Sequence, residues 1–151
     1  MRIRDATLDD IPALVDLGRL FHEESCYRDT KFDPVKSANF GIAFIDQPAS
    51  KFLKIAEDDK TGIYGMYVGE IIDYYFGNAL VSVDYLFYIR PEKRGGLAAS
   101  ALIKEFEKWS FKNGVVEVLP MSSTNINQKL VQGLYERLGY QTIGQVFSKR
   151  R

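Results

Sequence analysis

The sequence predicts an α/β fold: a single domain built on a mixed sheet, an antiparallel meander followed by βαβ-type units, with helices on both faces. Three observations predict it. Between Phe52 and Ile89, three runs rich in Ile, Val and Tyr are joined by short polar or glycine turns, the pattern of a meander. After Arg94-Gly95-Gly96 the apolar spacing changes to that of a helix. From there helix and strand patterns alternate to the end, with no repeat, low-complexity tract or Pro/Gly/Ser linker to mark a boundary.

Element by element, Arg2 to Ala6 reads as a short strand. Thr7-Leu8-Asp9-Asp10 resembles a capping box and Pro12 falls in the first turn of the helix that follows. Ile11, Leu14, Val15, Leu17 and Phe21 keep helical spacing, so this helix runs to about residue 24. Pro34, Gly41 and Pro48 interrupt the next stretch, and 34–46 holds a second short helix. Strands follow over Phe52–Ala56, Ile63–Phe76 and Ala79–Ile89. Asp58–Gly62 and Gly77-Asn78 form the turns between them, and Pro91 ends the meander because it cannot donate to a ladder. Ala98, Leu102, Phe106 and Trp109 mark a helix closed by Asn113-Gly114. Val115–Leu119 is a strand, Asn125–Leu138 a helix capped by Gly139, and Tyr140–Ser148 a last strand.

Composition narrows the function classes. The chain has 151 residues, enough for a real core, and 46% of them are hydrophobic, too many for a disordered chain. Its 20 basic and 20 acidic residues cancel, and no basic stretch interleaves with aromatics outside the strands, which argues against a nucleic-acid partner. Charge is uneven along the chain: residues 1–59 hold 12 acids against 8 bases, and 100–151 hold 4 acids against 8 bases. The acidic first third includes Glu23, Glu24 and Asp29, read as solvated charges or as the border of a site for a cation. The single cysteine, Cys26, excludes an internal disulfide, and the single histidine, His22, makes no metal constellation. Without an apolar leader or a run approaching a membrane span, the expectation is a cytoplasmic protein with no membrane partner.

The informative stretch runs from Val83 to Ile103. A buried strand feeds a glycine turn flanked by Lys93 and Arg94, and the turn opens a helix. Free N–H groups and the macrodipole favour an anion at such a helix start, and small residues let a phosphate approach the backbone. The same small residues also suit a turn that merely packs helix on sheet. Neither the P-loop pattern nor the dinucleotide G-x-G-x-x-G pattern is present.

Phe87 to Ile103 resembles the coenzyme A-binding signature of the GNAT N-acetyltransferases, in which a strand, a proline and an R-G-rich turn precede a helix. The opening Ile3-Arg-Asp-Ala-Thr-Leu-Asp-Asp-Ile-Pro-Ala-Leu14 is similar to that family's first strand and helix. The closing Leu134-Tyr135-Glu-Arg-Leu-Gly-Tyr140 is similar to its frequent ending. The turn departs from the family's Q/R-x-x-G-x-G/A: counted from Arg94 it reads R-G-G-L-A-A, with Leu97 where glycine is usual.

The resemblance implies a GNAT-like fold and transfer of an acetyl group from acetyl-CoA to a primary amine, by direct attack in a ternary complex. Main-chain groups of Phe87, Tyr88 and Ile89 would meet the pantetheine arm. Arg94, Gly95, Gly96, Leu97, Ala98, Ala99 and Ser100 would hold the pyrophosphate, with Asn125 or Asn127 as a further contact. Tyr135 would protonate the leaving thiolate, and Glu117 or Asp84 would take the ammonium proton. The acceptor would be a small molecule or a peptide amine, and because members often dimerise the resemblance allows a homodimer without fixing the oligomeric state. An acyl-CoA-binding regulatory or interaction module without catalysis is the alternative.

Overall fold

Most elements form where the pattern places them, because local chemistry and burial agree. The computed structural model describes residues 1–151. In order it contains β1 (Arg2–Asp5), a 3-10 turn (Leu8–Asp10), α1 (Ile11–Glu24), α2 (Pro34–Ile45), β2 (Lys51–Asp58), β3 (Gly62–Asp73) and β4 (Leu80–Ile89). After a second 3-10 turn (Pro91–Lys93) come α3 (Ala98–Lys112), β5 (Val115–Leu119) and α4 (Gln128–Arg137). The start of α1 is fixed by Asp10, whose carboxylate accepts from the Thr7 N–H at 2.7 Å and binds Arg4 of β1. This Arg4 contact holds the Asp10 carboxyl down at about 2. Asp33 caps α2 by accepting from the N–H groups of Val35 and Lys36.

The sheet order is β1-β2-β3-β4-β5, antiparallel except for the parallel β4–β5 pair. Two apolar layers hold helices against it. Leu14, Leu17, Phe44, Ile55 and Met66 pack beneath α1 and α2, whereas Phe52, Tyr67, Leu102, Ile103 and Phe106 pack beneath α3, where α4 adds Tyr135. Gly69 of β3 makes the second layer possible: a Cβ there would lie 2.4 Å from the Phe106 ring, so the bare backbone is what lets that ring lie on the strand.

Three expectations change, the first being that the strand expected over Ile63–Phe76 ends at Asp73 and leaves Tyr74–Phe76 to the turn. Tyr140–Ser148 forms no strand: residues 141–151 make no backbone hydrogen bonds, and Ile143, Val146 and Phe147 are exposed. Its strand signal is a propensity to fit a half-buried pleat, and Gly144 and the adjacent Val146-Phe147 break the alternation that burying one face requires. Helix α4 also begins three residues late, because Asn125 and Asn127 adopt positive φ values of 60° and 46°. No helix is long and apolar enough to cross a membrane.

Candidate active site

The site is built where β4 and β5 part. Their ladder covers only Leu80 to Val83 on β4, ending at the Val83–Leu119 pair. Pro120 follows and cannot extend it, and the next N–H, of Met121, donates at 2.7 Å to the Asp84 carboxylate instead. The rest of β4, Asp84 to Ile89, is therefore open on that side. Because the Arg90 N–H donates to Tyr64 of β3, strand alternation turns the main-chain groups of Ile89 and Phe87 toward the opening.

A bulge decides what faces the gap. Gly69 pairs with Asp84 while Val68 pairs with Leu86, so Tyr85 is the extra residue of β4. One additional residue resets the two-residue alternation. Asp84 before it and Phe87 and Ile89 after it consequently line one cleft of about 380 Å³. From α4, Val131, Leu134, Tyr135 and Arg137 form the opposite wall, and Met121 to Thr124 close an end. Cys26 ties that loop to the end of α1, its N–H donating to the Thr124 carbonyl at 2.9 Å.

Asp84 is 4% exposed and pairs with no cation. Burial pushes its carboxyl up to about 7, against the smaller opposing effect of the Met121 N–H bond. Across the cleft Tyr135 is 9% exposed, and its hydroxyl lies 3.2 Å from that of Tyr67. Burial raises the Tyr135 phenol well above its ordinary value, and the Asp84 charge adds to this, so at neutral pH it holds its proton. A carboxyl poised near neutrality and a neutral phenol in one cleft make an acid–base pair.

At the far end the chain turns through Arg94, Gly95 and Gly96, all lining the cleft. Gly95 has φ +84°, a conformation glycine adopts without strain. The N–H groups of residues 95–100 donate to no backbone carbonyl, and so remain available to an anion beside the positive end of α3. Arg94 holds the turn to the sheet. Its Nε donates to the Ile89 carbonyl at 2.8 Å, and its Nη2 meets Glu24 of α1 at 2.8 Å.

The residues singled out in the sequence divide accordingly. Asp84, Phe87, Ile89, Arg94, Gly95, Gly96, Ala99, Asn127 and Tyr135 line the cleft. Glu117 does not: it lies exposed on β5, paired with Val81 below the point where the strands part. Tyr88 does not line the cleft: its main-chain groups face β3 opposite Met66, and its side chain lies on the other face, where the hydroxyl donates to Glu24. Leu97, 76% exposed, precedes α3 without lining the cleft, so a side chain at that position intrudes on nothing. Ala98 is in the core, Ser100 bonds back to the Leu97 carbonyl, and Asn125 does not line the cleft. Sequence reasoning missed Phe21, Met121 and Arg137. Arg137 stands inside the closing Leu134–Tyr140 motif, two residues after Tyr135, whereas nothing around Met121 signals its place.

The chain belongs to the acetyltransferase (GNAT) family, whose model matches residues 15–140. Solved structures share the fold. A Trypanosoma brucei acetyltransferase is 22% identical with a TM-score of 0.73, matching 99% of each chain. A putative acetyltransferase from Agrobacterium tumefaciens is 14% identical with a TM-score of 0.77 over 100% of both. A ribosomal-protein-alanine N-acetyltransferase from Brucella melitensis is 12% identical with a TM-score of 0.73 over 100% of both. At these identities the likeness is one of fold. No curated protein sequence matches the chain.

Proposed function

We propose that the protein is an acetyl-CoA-dependent N-acetyltransferase acting on a primary amine by direct attack in a ternary complex. The observation that carries this reading is the cleft between β4 and β5, which brings buried Asp84 and Tyr135 together along an open strand edge. The family supports acetyl-CoA as co-substrate, and the chain's own features fit it. Unpaired N–H groups of residues 95–100 suit a pyrophosphate, and the open main-chain groups of Phe87 with the Ile89 N–H suit the amides of a pantetheine arm.

Bound acetyl-CoA supplies the activated thioester. A primary ammonium has a pKa near 10 and must lose a proton before its nitrogen can attack. Asp84, pushed up to about 7, is a stronger base than an ordinary carboxylate and is half ionised at neutral pH. It takes that proton in the dry end of the cleft. Tyr135, which keeps its proton at neutral pH, gives it to the sulfur as the C–S bond breaks, so coenzyme A leaves as the thiol, and the buried phenolate, a strong base, at once regains a proton. The remaining acceleration comes from holding donor and amine in line, worth several kcal/mol without further side chains.

The test is a thermal-shift panel with acetyl-CoA, coenzyme A, NAD and ATP, followed by hydrolysis-corrected release of coenzyme A on adding amines. At about a hundred times its Kd a ligand adds about 2.7 kcal/mol, or about 5–10 °C for a chain of this size. A shift with acetyl-CoA and coenzyme A alone, with amine-dependent release, is the expected result. No shift with either overturns the reading.

A further inference from the structure

We infer that the acceptor is a primary amine carried on an apolar arm, with no second positive charge. This rests on the acetyl-transfer reading above and names its substrate class. The cleft passes through the sheet to the α1–α2 face, where Phe21 of α1 and Tyr85 of the β4 bulge line it beside Met121. Tyr85 is 48% exposed and Met121 57% exposed, so both present apolar surface to whatever enters. The Tyr85 ring is held in place rather than loose: it meets Phe40 and Phe44 edge-on at 6.0 and 5.7 Å, and its hydroxyl donates to Glu70 at 2.8 Å.

The carboxylates around this face decide the charge of the guest. Glu23 pairs with Arg19 at 3.3 Å, Glu24 with Arg94 at 2.8 Å, Asp29 with Arg150 at 3.2 Å and Glu70 with Lys51 at 2.6 Å. Each of these four is paired with its own cation, so none of them is a free partner for an ammonium group. Asp84 is the one carboxylate that lines the cleft. A polyamine or aminoglycoside would leave its further ammonium groups on apolar surface, at a desolvation cost no partner offsets. Of the two guanidinium groups of the cleft, Arg137 stands on α4 and Arg94 is already taken up by Glu24 of α1 at 2.8 Å, so a zwitterionic amino acid finds no uncommitted cation for its carboxylate beside Tyr85 and Met121. An uncharged apolar arm buries that surface with no such cost.

The experiment compares kcat/KM for 2-phenylethylamine and hexylamine with that for spermidine, an aminoglycoside and free lysine, using the full chain after acetyl-CoA binding has been measured. The expected result is a preference of at least about tenfold for the two apolar monoamines, the discrimination typical of an apolar pocket. The second arm is Met121→Glu, which adds a carboxylate on an exposed loop side chain and leaves the main-chain bond to Asp84 in place. It should raise the spermidine-to-phenylethylamine ratio about tenfold. Equal or better turnover of spermidine, the aminoglycoside or free lysine overturns the inference while leaving acetyl transfer intact. So does acetyl-CoA binding with no turnover of the apolar amines. Failure to bind acetyl-CoA removes the underlying reading instead.

Discussion

The two sides of β4 are built for opposite purposes. Toward β3 its ladder runs from Leu80 to Ile89, reinforced by Phe106 lying flat over Gly69. Toward β5 it stops after Val83. The continuous side keeps the strand rigid, so the open side can expose main-chain groups and a buried carboxyl without collapsing. A rigid element supporting an unpaired edge is how a sheet can hold a reaction at its centre.

Breaking the open side should cost activity and spare the fold. Asp84→Asn keeps an oxygen for the Met121 N–H and removes the base, so kcat/KM in acetyl transfer should fall about 10²- to 10⁴-fold while acetyl-CoA affinity by titration calorimetry stays within about twofold. The same change should stabilise the protein at high pH. With the folded carboxyl at about 7 and an unfolded value near 3.8, the folded state holds a proton that the unfolded chain has lost between those limits. Wild-type stability from this group therefore falls as pH rises from about 4 to 7, and the variant escapes the loss. Denaturant melts should show no difference at pH 4 and about 2–4 kcal/mol in favour of Asp84→Asn at pH 8.

Tyr135→Phe removes the proton donor and the contact with Tyr67. A drop of about 30- to 100-fold in kcat is expected, read in a coupled thiol assay, with stability changed by about 1 kcal/mol. Damage to the continuous side should show the reverse pattern. Gly69→Ala drives a Cβ against Phe106 and to 2.8 Å from the Val83 carbonyl, so chemical denaturation should report a loss of about 1–3 kcal/mol. Glu117→Gln is the smallest effect: an exposed side chain outside the cleft, its loss should leave turnover within about twofold.

The sequence reveals the continuous side better than the open one. Strand alternation, the Asp58–Gly62 turn and the Ala98–Trp109 helix spacing are local signals, and each forms within a few residues of where the pattern sets it. The open side depends on events without a local signature. A bulge at Tyr85 and the stop at Pro120 bring Asp84 into the cleft and leave Glu117 outside it, although both are carboxylates on neighbouring strands. The glycine turn and Tyr135 were legible because both sit in family motifs. Met121 and Phe21 were not, since they reach the cleft only through the tertiary path of their segments. Tyr140–Ser148 marks the limit of propensity, for a strand needs a partner edge as well as β-forming residues.

The central claim is that acetyl transfer occurs in the gap between β4 and β5 with Asp84 as base. Its most direct test is the pH dependence of kcat/KM for acetyl transfer in wild type and Asp84→Asn. Wild type should show a limb rising through about pH 7, and Asp84→Asn should lose that limb while still binding acetyl-CoA. An unchanged rate and an unchanged limb in the variant would contradict the account.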